Sequence, residues 1–243
     1  MKNKIIKLKN GGRLVYVRSK FNKSTAIEVG FCVGASKDKK KGVAHFLEHT
    51  LFKKTKIRTN KDINRDRNKI AFLNASTGMD FLVLKFARTN KLIEKSFEFA
   101  SDILTNSVVD DEYMQAEKGV ICEELNMTLD NEKHDVFVYN YMQASSKARF
   151  ASSIVGESEE NINSISFADL LNFKKKHFIG NNFVVSAVSS LSLSKIKKLV
   201  NKYFVSKVKE QNIQVKTGVF AAHMEISLLN DGPVTFTIEA PKK

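Results

Sequence analysis

Along this chain, short apolar runs with a two-residue period alternate with longer stretches whose apolar residues recur every three to four positions. That alternation restricts the fold to a mixed sheet-and-helix architecture. A strand pair is predicted over residues 4–18 around Asn10-Gly11-Gly12, a strong hairpin signal. Residues 24–35 read as a further strand, and a Lys-rich turn leads into a short amphipathic helix from Gly42 to Phe52. Strands are predicted within 70–87, with a break near Gly78-Met79-Asp80. Helical spacing returns at 90–106 (Leu92, Ile93, Phe97, Ala100, Ile103, Leu104), over a long stretch from 111 to 147, and at 166–178. A strand at 182–189, a helix at 192–204 and strand-like sequence at 213–240, turning at Asn230-Asp231-Gly232-Pro233, complete the order. One α+β domain accounts for it, and 243 residues suffice for one sizeable core.

Composition excludes several alternatives. With 42% hydrophobic and 27% charged residues the chain is too apolar for a disordered protein. Two cysteines, Cys32 and Cys122, support neither a disulfide scaffold nor a multi-cysteine zinc ribbon, and fit a reducing compartment. No run of about 18 apolar residues suggests a membrane span, and the basic N-terminus lacks an apolar stretch of signal-peptide length. A cytoplasmic location is the resulting expectation. The formal net charge of +14 raises the question of nucleic acid. Most of that charge is Lys spread along the whole chain, Arg is sparse, and no nucleic-acid-binding motif is present. Nucleic acid is therefore not an expected partner.

The chemistry concentrates in His45, Glu48 and His49, an H-x-x-E-H pattern on a predicted helix. Residues four apart share a helix face, so both imidazoles can reach one zinc ion (Zn2+). Glu48 lies three residues after His45 on nearly the same face, placed to reach a water rather than to serve as a third ligand. The pattern inverts H-E-x-x-H and occurs among zinc peptidases. Two ordinary histidines and a solvated glutamate on a surface helix are the plainer alternative.

A catalytic zinc site needs a third protein ligand and an open position. Glu117 and Glu124 are seven residues apart, two helical turns, and so share a face. Glu123 points about 100° away, toward solvent. Cys122 is either a soft ligand or a small packed hydrophobe. His134, His177 and His223 have no partner at ligand spacing.

These residues resemble the pitrilysin, or insulinase-like, family of zinc metallopeptidases. The likeness rests on GVAHFLEHTLFKKT at 42–55, on Leu73-Asn74-Ala75-Ser76-Thr77, on the Glu117 to Glu124 spacing, and on the loop Ile154 to Ile165. It implies a mixed, largely antiparallel sheet covered by helices, one half-unit of the family's architecture. It implies His45, His49 and Glu124 as zinc ligands, Glu48 as the general base toward the attacking water, and Glu117 as an accessory carboxylate of the catalytic site. A plain surface role for Glu117 stays open. Asn74 and Ala75 would bind substrate backbone, or form an ordinary edge strand. Lys54 departs from the family's usual glycine and puts the turn after the helix in question.

The resemblance covers the metal-bearing half only. Residues 1–212 would be the peptidase domain, and 213–243 a linker and the start of a second half. The expected activity is zinc-dependent hydrolysis of peptides or unfolded segments, with a partner chain, a copy or a separate second half, completing the chamber. The competing expectation is a truncated or non-catalytic subunit that is structural or presents substrate.

Overall fold

In four of the strands every second residue is buried, which is the signature of a sheet with one face against a core. The computed structural model describes residues 3–21, 23–108, 111–130 and 153–207. The strands are β1 (Asn3–Lys7), β2 (Arg13–Arg18), β3 (Ser24–Phe31), β4 (Phe72–Thr77), β5 (Leu82–Thr89) and β6 (Phe183–Ser189). They form one sheet in the order β1-β2-β6-β3-β5-β4, antiparallel throughout except for the parallel pair β2 and β6. The expected mixed, largely antiparallel sheet is therefore present.

Register aligns the buried side chains into rows. Val29 of β3 sits opposite Leu84 on one side and Val185 on the other, and Ile27 opposite Phe86 and Ala187. Phe86 continues into the helical layer, edge-on to Phe97 at 5.4 Å between ring centroids. The hairpin joining β1 and β2 closes with Leu8 N–H donating to Gly12 O at 2.8 Å, and Gly11 takes φ +90° there.

The helices are α1 (Val43–Leu51), α2 (Asn60–Arg67), α3 (Ile93–Asn106), α4 (Asp111–Leu129), α5 (Glu159–Ser164), α6 (Phe167–His177) and α7 (Leu193–Val200), the last running on into a π-turn over Asn201–Val205. The predicted strands and the helices at 42–52, 90–106, 166–178 and 192–204 fall within a few residues of these bounds. The predicted helix at 111–147 is present as α4 to Leu129, and its remainder lies outside the described residues. So do the strands and turn expected at 213–240, the boundary at 212, His134 and His223. No described helix is long and apolar enough to cross a membrane.

Two helices were not legible in the apolar periodicity. Each of α2 and α5 buries a single apolar residue, Ile63 and Ile162, so neither shows a repeating stripe. Capping carries the signal instead. Thr59 and Asp62 form a reciprocal capping box on α2, and the Ser158 side chain accepts from Asn161 N–H on α5. The loop expected at 154–165 thus contains a short helix.

Candidate metal centre

Helix α1 is almost wholly buried, with Phe46, Leu47 and Leu51 in the core, and it packs against α4, α6 and β4. Its start is fixed by two features. Gly42 takes φ +89°, and a Cβ there would meet the Val155 carbonyl oxygen at 2.5 Å, so no other residue fits without displacement. The Asp38 carboxylate accepts from the N–H groups of Gly42 and Ala44, each at 3.0 Å, capping a helix whose N-cap glycine has no side chain to do so.

Helix α4 lies alongside with Met114, Ile121 and Leu125 buried, which turns Glu117 and Glu124 toward α1. His49 Nδ1 is 3.0 Å from Glu117 Oε2, and His49 Nε2 is 3.4 Å from Glu124 Oε2. His45 Nε2 is 3.6 Å from Glu124 Oε1. One donor atom from each of His45, His49 and Glu124 lies within 4.8 Å of the others. Donors about 2.0–2.1 Å from a tetrahedral zinc ion stand about 3.4 Å apart, so this spacing suits one ion.

Electrostatics point the same way. Burial holds the His45 imidazole down at about 4, with His49 adding to the effect, so it is neutral near pH 7 and its lone pair is free. Burial alone would lower His49 as well, but Glu117, Glu124 and Glu48 outweigh it and raise the imidazole. Burial opposes ionisation of Glu117 too, yet His49 and Lys53 prevail and keep its carboxyl below the usual range. Glu48 is raised, chiefly by burial, against the pull of the Thr77 hydrogen bond. Three carboxylates around two imidazoles and one ammonium leave an excess of negative charge that a divalent cation offsets. The donor set fits zinc.

The residues expected at the site fall in these places. His45, His49 and Glu124 converge, and Glu48 stands beside them. Glu117, for which a surface position was open, is 5% exposed and pinned between His49 and the Lys53 ammonium. Glu123 is exposed, and Cys122 packs half-buried against the core, outside the donor cluster. The His177 ring lies against Phe173, tilted by 51° with 4.7 Å between ring centroids. Asn74 and Ala75 lie on β4, one of the two edge strands of the sheet, Asn74 exposed and Ala75 buried. Lys54 is accommodated in a turn where its carbonyl accepts from Val108 N–H at 2.9 Å and Thr55 bridges Ser107.

Two supports were missed by sequence reasoning. Thr77 Oγ1 donates to Glu48 Oε2 at 2.6 Å, and Lys53 pairs with Glu117. Both residues sit within the quoted motifs, but nothing in the spacing says which carboxylate each would meet.

Comparison with known proteins agrees with the fold and with the family resemblance. The family described as insulinase (peptidase family M16) matches residues 13–158. A D-Tyr-tRNA(Tyr) deacylase family also matches residues 188–239, mostly outside the described residues. The mitochondrial-processing peptidase subunit beta of Homo sapiens is 32% identical over 168 residues, 69% of this chain and 34% of that protein. A protein described as an uncharacterized zinc protease of Rickettsia bellii is 29% identical over 205 residues, 83% of this chain and 50% of its own. Among solved structures, a protease from Helicobacter pylori superposes with TM-score 0.78 at 22% identity, covering 84% of this chain and 50% of that one. A peptidase M16 inactive domain from Pseudomonas fluorescens superposes with TM-score 0.77 at 14% identity, covering 91% and 53%. This chain thus spans half or less of the length of these curated relatives. With the family match extending from β2 through the donors of α1 and α4 to residue 158, the chain belongs to the insulinase family of peptidases.

Proposed function

We propose that this chain supplies the metal-bearing half of a zinc-dependent endopeptidase acting on peptides or unfolded segments. The observation that carries the reading is the convergence of His45, His49 and Glu124 within 4.8 Å, with Glu48 alongside. In this reading the three donors hold zinc, which when bound supplies Lewis acidity at the scissile carbonyl and the attacking water. Glu48 takes the proton from that water and returns it to the leaving amine, and a carboxyl raised by burial suits a base working near neutral pH. Glu117 orients His49 through Nδ1. An extended peptide would pair along β4 at Asn74 and Ala75 as an added strand. The remaining chamber contacts would come from a second half-unit, in another chain or a second copy.

The test has two arms. About one zinc per chain at neutral pH is expected, and Glu48→Gln is expected to keep the metal while losing cleavage of a fluorogenic peptide. No zinc on the wild-type chain would overturn the proposal. A non-catalytic subunit is the competing reading, since a domain described as inactive shares the fold. Cleavage that rises with chain concentration or on adding a second half-unit, and vanishes in Glu48→Gln, separates the two.

A further inference from the structure

Lys53 lies in the turn that ends α1, where its N–H donates to Thr50 O at 3.3 Å. Its ammonium reaches back to Glu117 Oε1, while the other oxygen of the same carboxylate stands 3.0 Å from His49 Nδ1. Glu117 comes from α4, so the three residues form a chain from the turn after one helix, through the other, and back to the last turn of the first. The Glu117 side chain is 6% exposed, that of Lys53 29%.

A carboxylate this deeply buried is costly unless each oxygen has a charged or hydrogen-bonding partner. Lys53 satisfies one oxygen and leaves the second as an acceptor for His49 Nδ1–H. An imidazole that donates from Nδ1 presents its Nε2 lone pair on the opposite side of the ring. Here Nε2 is the atom that faces Glu124, at 3.4 Å. Without the ammonium, the most economical relief for Glu117 is to turn toward water, which frees the His49 ring to rotate.

We infer that Lys53 is a positioning residue for the metal centre, holding Glu117 against His49 Nδ1 so that His49 Nε2 faces the His45 and Glu124 donors. The inference rests on the zinc reading and deepens it, since it assigns a role to a residue outside the three-donor cluster. It also explains why a lysine occurs where a buried acid approaches a histidine already close to two further carboxylates.

The experiment is a zinc competition titration against a chromophoric chelator on the full chain, comparing wild type with Lys53→Met, Lys53→Gln and Lys53→Arg. Met keeps the apolar stem without the charge, and Gln keeps a polar end should Met at this turn not fold. Loss of an outer partner of a ligating histidine is worth about 10–100-fold in affinity, and that is the loss expected for Met and Gln. Arg, which retains the charge, is expected to restore most of it. The visible spectrum of the cobalt-substituted chain should change in Met and Gln and return in Arg, a signature that general destabilisation would not give. Equal zinc affinity in wild type and the folded uncharged variants overturns this inference alone, whereas no zinc on the wild type overturns it together with the zinc reading.

Discussion

Thr77 Oγ1 on the edge strand β4 donates a 2.6 Å hydrogen bond to Glu48 Oε2 on α1, across 29 residues of sequence. One oxygen of the proposed base is thereby held, and the strand proposed to receive the peptide is tied to the group proposed to act on it. Thr77→Val keeps the shape and removes the donor. A hydrogen bond to a charged group is worth about 1.5–3 kcal/mol, so turnover should fall roughly 10–100-fold. Zinc content should stay at the wild-type level and Thr77→Ser should recover activity. Unchanged turnover in Thr77→Val would remove Thr77 from the site.

Gly42 predicts a defect at a distance from the donors. Its φ of +89° and the approach of Val155 O leave no room for a Cβ, so Gly42→Ala must shift either α1 or the segment at 155. A cost of at least about 1–2 kcal/mol is expected in urea unfolding, with weakened zinc binding because His45 lies within the first turn of the same helix. Wild-type stability in Gly42→Ala would show that the turn relaxes freely.

The cap of α1 predicts a pH dependence. Burial pushes Asp38 up from its ordinary 3.8 to about 7, against the pull of the Ala44 and Gly42 N–H groups and of Lys41. The folded chain therefore holds this proton more tightly than the unfolded chain does. The stability Asp38 contributes is fully present below about pH 4 and is lost as pH rises toward about 7. Asp38→Asn removes that dependence, so the variant should gain on wild type between pH 4 and 7 and stay level above, by at most a few kcal/mol. Asp169, brought down to about 2 mainly by Lys40 and Ser166 in spite of burial, loses its contribution only as pH falls below about 4, outside this window. A constant difference between the two chains in urea midpoints at pH 5 and 8 would count against the buried-cap account.

Metal loading should release protons from one histidine and not the other. His45, held at about 4 chiefly by burial, has no proton to lose at pH 7, whereas His49 is raised by its three carboxylate neighbours, which outweigh its burial. Zinc binding at pH 7 is then expected to release protons from His49, more than an imidazole at its ordinary pKa would give up. Titration calorimetry in buffers of different ionisation enthalpy reads this directly, and heats independent of the buffer would contradict it. Removing the metal with a chelator should reverse the signal.

What the sequence determined by itself was everything that follows from local period and local spacing. Alternation located β2, β3, β5 and β6, and the four-residue step from His45 to His49 placed two imidazoles on one face of α1. The seven-residue step from Glu117 to Glu124 placed both carboxylates on one face of α4, and the resemblance singled out Glu124 as the ligand. Helices α2 and α5 escaped because one buried residue each makes no stripe, and their evidence lay in caps. Only the tertiary structure decided which groups meet. His49 reaches Glu117 across 68 residues, Lys53 completes that pair from the turn after α1, and Thr77 meets Glu48 from another layer of the fold. Helical and strand periods fix the direction of a side chain on its own element, but contacts between elements depend on how α1, α4 and β4 pack. That packing is set by the shared core, in which Leu47, Ala75 and Ile121 are all buried, and no spacing along the chain encodes it.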